Sequence, residues 1–542
     1  MATSDIEVEA TFAVPTDELE APDLSGVDHV ASASETTSFT LRATYFDTKD
    51  LRLTRAAITL RRRTGGRDEG WHLKLPGRGR ARREIGVAID AAPGVNGDGT
   101  VTLPAELHDL VRAVVRNEEI VPIAQVDNHR TETALVDKHR ADIATFCDDR
   151  VRAASLLPGG TETSWREWEL ELSAELAENA RGARVLDQVR SLVEEAGAHE
   201  SDSPSKLLTA LGDSLDTAPK PPQPYEFQAY DERDETFTGL VEALSAYRDA
   251  LVYRDARARR REAGTVTSFM SAAVGLRLAL RGLYELFEHD SWDERLDPVE
   301  AIDARLHAAA ERAAESATRA GGHRELKERV DANSSGKIDE HTRSRLGQGS
   351  RAAAKRGHNK LVAELNSKAY IDALDALDRL LADPPVPSRR ERRKAPAIIV
   401  RAVKRGYVAI KNRRKDLNSE PALPCDDERA ARLIDEAWRH AEELVAAAEL
   451  AREYTAYRAE ALAADAASFT ALLRQVRQLS AAAELVAERA EHAAGRGEST
   501  FAYGVVYESL RERTAAVIRR ADSEFKTLKK SYKAFRRSIE EP

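Results

Sequence analysis

The sequence predicts a chain in two parts of different class: an antiparallel β-sheet or barrel first, then an all-α region of helical bundles. Three observations predict this. Up to about residue 172, apolar and polar residues alternate with period two. A proline-rich polar stretch follows at 216–228. Beyond it, apolar residues recur at spacings of three and four in a background of Ala, Leu, Glu and Arg.

The alternating runs are "IEVEATF" (6–12), "TYFDT" (44–48), "ITLRRR" (58–63), "GWHLKL" (70–75), "REIGVAI" (83–89), "IATFCDD" (143–149) and "EWELEL" (167–172). Each is short and rich in β-branched or aromatic residues, as strands are. "TGGRDEG" (64–70) reads as the hairpin between two of them. A helix is expected over 175–197 and another from about Ser205. "DTAPKPPQPYEFQ" holds four prolines, which make a stiff extended linker. The expected division is therefore 1–212, a linker at 213–228, and 229–542. The helical part breaks again at "ADPPVPSRRERRKAP" (382–396), which leaves two halves with room for several long helices each. Two bundles side by side, descended from a duplication, are the simplest arrangement.

Composition bounds the function. Hydrophobic residues make up 42% of the 542, enough for real cores, while aromatics reach only 6%. The net charge of −10 is uneven: residues 1–228 carry 26 Lys/Arg against 40 Asp/Glu, and residues 229–542 carry 56 against 52. The second part is thus no uniformly basic nucleic-acid binder, although it can carry basic patches. Two distant cysteines, Cys147 and Cys425, exclude a disulfide framework and a four-thiolate metal site. The acidic start "MATSDIEVEA" is unlike a signal peptide, and no run approaches the ~20 apolar residues of a membrane helix. A soluble cytoplasmic protein is the expectation.

Period two also sorts charges onto faces. Glu7 and Glu9 share a face with Thr11; Arg61 shares one with Arg63; His72 with Lys74; Arg82 with Glu84; and Glu167 with Glu169 and Glu171. For any one strand, a solvated face explains this. As a set it does not, because two strands are almost purely acidic and others almost purely basic. If the sheet closes, these faces line a tunnel. Carboxylates bind hard divalent cations, and Arg and Lys bind phosphate oxygens. Both together suit metal-assisted phosphoryl chemistry. The apolar faces would then point outward, under helices.

"YFDTKDLRLTRAAITLRRRTGGRDEGWHLKLPGRGRARREIGVAI", "SWREWELEL" and "SPSKLLTALG" together resemble the CYTH domain, over about residues 5–212. This is the triphosphate tunnel fold of class IV adenylyl cyclases, thiamine triphosphatases and inorganic triphosphatases. The resemblance implies a closed antiparallel barrel of about eight strands that holds polyphosphate with a divalent metal, Mg²⁺ or Mn²⁺. It implies metal binding by Glu7 and Glu9, and by Glu167 and Glu169, with Glu171 a further candidate. It implies phosphate contacts by Arg61, Arg63, Lys74, Arg82 and Arg130, with Glu84 near the metal. Asp148 and Asp149 stand where the family often has an acidic pair. Lys206 recurs in the family and is expected to be structural. Thr11 departs from the pattern, because the family's signature lysine would stand there.

"LRLALRGLYELF", "HNKLVAELNSKAYIDALDALDRLLADPP" and "FAYGVVYESL" resemble the CHAD domain, over about residues 230–515. This resemblance implies two four-helix bundles and polyphosphate binding. The family's first basic helix is worn away in "VTSFMSAAVGLR": Thr267, Met270, Val274 and Gly275 replace His and Arg positions, and Arg277 and Arg281 remain. Arg432, Arg439 and His440 are basic but off the expected spacing. Arg401, Lys404 and Arg405 lie in "SRRERRKAPAIIVRAVKRGYVAIKNRRK", which carries twelve Lys/Arg and one acid. His358 and His440 read as surface or packing residues.

The expected function is metal-dependent hydrolysis of inorganic triphosphate, polyphosphate or an organic triphosphate, with a helical polyphosphate-binding module. A non-catalytic polyphosphate-binding or scaffold protein is the alternative, and adenylyl cyclase is a weaker one. No membrane and no specific nucleic acid are expected as partners. The substrate, the metal and the oligomeric state stay open.

Overall fold

The computed structural model describes residues 3–77, 79, 81–88, 101–177, 179–203, 205–227, 234–287, 293–332, 338–418 and 423–540. The last residues of the 83–89 run and of the 213–228 linker lie outside these. The chain divides into two compact units, Met1–Pro221 and Pro222–Pro542, within the proline-rich stretch.

The first unit is built on one antiparallel sheet. Its strands are β1 (Thr3–Glu7), β2 (Glu9–Val14), β3 (Ser32–Ala33), β4 (Thr37–Asp47), β5 (Thr59–Thr64), β6 (Gly70–Pro76), β7 (Arg82–Ala88), β8 (Val121–Val136), β9 (Asp142–Ser155), β10 (Glu162–Leu172) and β11 (His199–Glu200). The order is β1-β7-β6-β5-β4-β8-β9-β10-β2-β11, with β3 on β8. The two ends of this order meet on one segment. Residues 3–7 pair with β7 and residues 9–14 pair with β10, either side of Val8. The sheet therefore curls on itself, which is how closure removes exposed edges.

Curling decides which face is which. Phe12, Trp168 and Leu170, all 0% exposed, point outward. There they pack with Val185, Val189 and Val193 of α3 (Ala180–Glu195). The expected helix over 175–197 starts later because Asn179 caps it, accepting from the N–H groups of Arg181 and Gly182 at 2.9 and 3.0 Å. The shorter helices are α1 (Arg52–Arg55), α2 (Ala105–Val115), α4 (Lys206–Leu211) and α5 (Ser214–Thr217). Leu207, Ala210 and Leu211 of α4 pack on Ile123, Val126 and Val151, which fixes the start of that helix against the sheet.

The second unit is helical: α6 (Glu235–Arg259), α7 (Thr265–Tyr284), α8 (Val299–Ala332), α9 (Glu340–Leu365), α10 (Lys368–Ala382), α11 (Arg389–Arg392), α12 (Ala395–Asn418), α13 (Glu428–Tyr454), α14 (Glu460–Ala494) and α15 (Phe501–Glu540). Consecutive long helices pack on each other from α6 to α9 and from α12 to α15, and the two groups meet through α8 with α14 and α7 with α13. Asp339, Ser367 and Asp427 cap α9, α10 and α13 through side-chain oxygens. Among the described residues, α7 alone is long and apolar enough to cross a membrane, but 61% of its apolar 18-residue window is buried inside the unit, as in a core helix. Its Gly275 lets Tyr247 lie against the backbone; a Cβ there would meet Tyr247 Cε1 at 2.4 Å.

Candidate functional site

Register brings the charged faces together. Glu9 stands opposite Glu171, and Thr11 opposite Glu169. Lys74 stands opposite Glu84, Glu7 opposite Arg82, and Arg61 opposite His72. Arg130 faces Asp149, which in turn faces Glu167. The result is a cavity of about 250 Å³ inside the curled sheet. Glu7, Glu9, Arg61, Arg63, Lys74, Arg82, Glu84, Arg130, Glu169 and Glu171 all line it, and so does Lys206. Glu167 does not: it is 4% exposed, accepts from Trp165 Nε1–H at 2.5 Å and contacts Lys206.

Two charge clusters divide the cavity wall. In the first, Lys74 Nζ lies 2.6 Å from Glu7, 3.9 Å from Glu9 and 4.0 Å from Glu84. Arg61 is 3.6 Å from Glu84, and Arg82 is 3.9 Å from Glu9. His72, near the centre of this cluster, is held at both nitrogens: Nδ1 is 2.6 Å from Glu84, and Nε2 is 2.9 Å from the backbone oxygen of Asp68. Asp68, in the hairpin, also binds Arg63 through its carboxylate. Burial, offset in part by Lys74 and aided by a hydrogen bond with Glu84, pushes Glu7 up to about 8. For Glu84, burial acts upward, but His72, Lys74 and Arg61 together outweigh it and hold the carboxyl far below its usual range.

In the second cluster, Arg130 donates to both oxygens of Asp149 at 2.8 and 2.6 Å and contacts Glu169. Lys206 Nζ lies 2.9 Å from Asp149 and 2.5 Å from Glu169. Burial acts upward on Glu169, yet Lys206 and Arg130 outweigh it and keep the carboxyl ionised. The candidate acidic pair splits. Asp149 is 0% exposed and faces inward, whereas Asp148 faces the other way, in a two-bond pair with Arg166 at 2.9 and 2.6 Å. Burial lowers the affinity of Arg63 for its proton, with Arg61 and Arg130 adding repulsion. Three guanidiniums thus crowd one side of the cavity, each already paired with a carboxylate.

The donor set suits a hard divalent cation. Asp149, Glu167 and Glu169 bring carboxylate oxygens within 4.8 Å of one another, but the Lys206 ammonium already sits on all three. The better place is beside Glu9 and Glu171. Glu171 makes no hydrogen bond and no ion pair among the described residues, and burial, only partly offset by the charge of Lys74, pushes its carboxyl up with Glu9 and Glu169 adding repulsion. A half-buried carboxyl without a direct partner is a group that a bound cation would satisfy.

Of the strand residues expected to bind metal or phosphate, Glu167 alone stays out of the cavity wall, while Lys206, expected to be structural, lines it, and His72, noted only as sharing a face with Lys74, pairs with Glu84. His72 shares its face with Lys74, so the signal was present. Lys206 arrives on a separate helix, and no periodicity links it to the barrel.

In the helical unit, the candidate cations are largely paired. Arg277 and Arg281 share Asp303 at 2.9 and 2.7 Å, and Arg401 and Arg405 share Glu285 at 3.8 and 3.6 Å. Lys404 is exposed. Met270 is 2% exposed and Gly275 is buried, so both serve the core. His358 is buried, with Nε2 2.7 Å from the backbone oxygen of Arg259, and His440 lies 3.3 Å from Glu443.

The first unit is thus a curled antiparallel sheet with carboxylates and guanidiniums clustered on its inner face. Residues 5–203 match the model of the CYTH domain. An uncharacterized protein of Mycobacterium tuberculosis strain H37Rv is 28% identical, with 95% of this chain and 96% of that one aligned. Its counterpart in strain CDC 1551 is 29% identical over the same shares. Among solved structures, a proposed adenylate cyclase of Bacillus halodurans covers 39% of this chain and 99% of its own at 14% identity, TM-score 0.26. A proposed adenylyl cyclase of Hippeastrum with a dominant triphosphatase activity covers 38% and 94% at 16% identity, TM-score 0.24.

Proposed function

We propose that the first unit hydrolyses a phosphoric anhydride bond of a triphosphate or polyphosphate held in the tunnel. One observation carries this reading: Arg61, Arg63, Arg130, Lys74 and Lys206 share a single cavity of about 250 Å³ with Glu7, Glu9, Glu84, Glu169 and Glu171. The arginines and lysines would bind phosphoryl oxygens and stabilise the charge that spreads over them as the bond breaks. Glu7, Glu9 and Glu171, with Glu84, Glu167 and Glu169 as further candidates, would hold Mg²⁺ or Mn²⁺. When bound, such an ion polarises the phosphoryl group and lowers the pKa of water. Lys206 supports turnover without a lysine at position 11. It reaches Glu169, the cross-strand partner of Thr11, at 2.5 Å, and so supplies a positive charge at the same spot.

The test is phosphate release from inorganic triphosphate by the full chain with Mg²⁺ or Mn²⁺. Arg61→Ala is expected to lower kcat/KM by about 10²-fold or more. No release, with triphosphate binding retained and abolished by Arg61→Ala, would leave a non-catalytic binding protein. That second reading draws on Thr11 and on the two ammonium groups that occupy the carboxylate clusters. The cyclase reading has no observation of its own. The helical unit we read as a CHAD-type polyphosphate-binding module, with Arg277, Arg281, Arg401, Lys404 and Arg405 as its contacts. A pull-down of polyphosphate at low salt, lost when these are replaced, tests it.

A further inference from the structure

A second cationic cavity lies in the helical unit, away from the five basic residues named above. It has a volume of about 390 Å³ and sits among α9, α14 and the start of α15. Arg345, Gln348, Arg489, His492, Arg496 and Tyr503 line it with Gly349 and Ala352, and among the described residues no carboxylate does. Glu498 lies beside it, already shared by Arg345 at 2.9 Å and Arg496 at 2.7 Å. Three guanidiniums against one carboxylate leave two positive charges without a counter-ion, before His492 is considered.

Arg489 is the unusual member. It has no hydrogen bond and no ion pair among the described residues, and its Nε is buried. A buried guanidinium nitrogen without an acceptor is costly, and such groups normally find a partner. The side chain lies across the backbone of α9 only because residue 349 is glycine: a Cβ there would meet Arg489 Nε at 2.7 Å and Nη2 at 3.0 Å. The helix thus gives up a side chain at a buried position and so leaves a slot for an unpaired cation.

From this geometry we infer a binding site for a small phosphoryl anion: pyrophosphate, or the phosphate end of a nucleotide. A single carboxylate is satisfied between two of these arginines, as Glu498 demonstrates, and would leave Arg489 and His492 uncompensated. A tetrahedral phosphoryl group offers several oxygens in different directions, which suits guanidiniums arriving from two helices and a loop. The inference does not depend on the reading of the tunnel.

Calorimetric titration of pyrophosphate, and separately of ADP, tests it on the full chain carrying Arg61→Ala and Arg63→Ala, in EDTA at low salt. Those substitutions keep the tunnel out of the measurement. One site per chain is expected for at least one of the two anions, and the tighter identifies the source as inorganic or nucleotide. Adding Arg489→Ala is expected to weaken binding about 10-fold or more, with the circular dichroism and melting temperature unchanged. Gly349→Ala keeps every charge and pushes the guanidinium out of its slot; it stands in if Arg489→Ala unfolds, with the same loss expected. No heat from either anion at millimolar concentration, or full affinity in a folded Arg489→Ala chain, overturns the site. If the tunnel variant itself does not fold, the unsubstituted chain serves, and Arg489→Ala must then remove one site from its stoichiometry.

Discussion

Lys206, its side chain 11% exposed, has its ammonium on Asp149, Glu167 and Glu169. Removing one partner of a buried ion cluster leaves uncompensated charge, which costs about 3–5 kcal/mol. Lys206→Met is therefore expected to lower the melting temperature sharply without metal. Because its three carboxylates lie close enough to hold an ion, millimolar Mn²⁺ should raise the melting temperature of the variant more than that of the wild type. Equal shifts would mean that the trio takes no metal even when vacated. His358 makes a different statement about charge. Burial, with Arg261 adding repulsion, pulls its imidazole below the usual value despite the hydrogen bond to Arg259. The folded chain thus resists a proton that the unfolded chain accepts. Stability is full above the unfolded pKa of about 6.5 and is lost as pH falls through it toward the lower folded value. His358→Gln should flatten that decline in urea unfolding curves between pH 7 and 5; an unchanged slope would assign the decline elsewhere.

At the scale of elements, the loop that delivers β5 to the tunnel hangs on Asp47. Its carboxylate, 0% exposed, accepts from Thr48 N–H at 2.7 Å, Leu53 N–H at 2.9 Å, Thr54 N–H at 2.8 Å and the Thr54 hydroxyl at 2.7 Å. Asp47→Ala would orphan these donors at the start of α1, five residues before β5. The expected cost is about 2–4 kcal/mol, together with a raised KM for triphosphate, because Arg61 and Arg63 lose their fixed register. A stability loss with KM unchanged would confine Asp47 to folding. The sequence allowed the alternation of "ITLRRR", "GWHLKL" and "EWELEL" to be read because a strand's period of two survives any tertiary context. It did not reveal which charged face each strand would turn inward beside which other. That was settled at Val8, where one segment pairs with both ends of the sheet. The same limit explains Asp148 and Asp149: adjacent in sequence, they must face opposite ways on a strand, so only Asp149 turns toward Arg130 and Lys206. Glu167 shared its face with Glu169 and so was expected in the cavity, but Trp165 and Lys206 cover it. In the helices, Gly275 lies against Tyr247, a packing reason for glycine that a single sequence does not carry.

At the scale of the whole molecule, the division within the proline-rich stretch makes a claim about cooperativity. Each unit has its own core: Phe12, Trp71, Trp168 and Leu170 in the first, Phe237, Phe269, Tyr370 and Phe535 in the second, all at 1% exposure or less. Each also exceeds the size at which a single domain folds by itself, and the polar connection carries four prolines, which favour an extended, solvated chain. The tunnel residues, from Glu7 to Lys206, all lie before Pro221. Residues 1–221 expressed alone are therefore expected to unfold in one cooperative transition and to keep the kcat/KM of the full chain for triphosphate within about threefold, since no group of the site is removed. Chemical unfolding followed by fluorescence, alongside phosphate release, measures both at once. A folded fragment with activity reduced a hundredfold would mean that the helical unit acts on the tunnel. A fragment that melts broadly and without a baseline would mean that the first unit needs the second to fold, and that the proline stretch is a tether inside one cooperative structure.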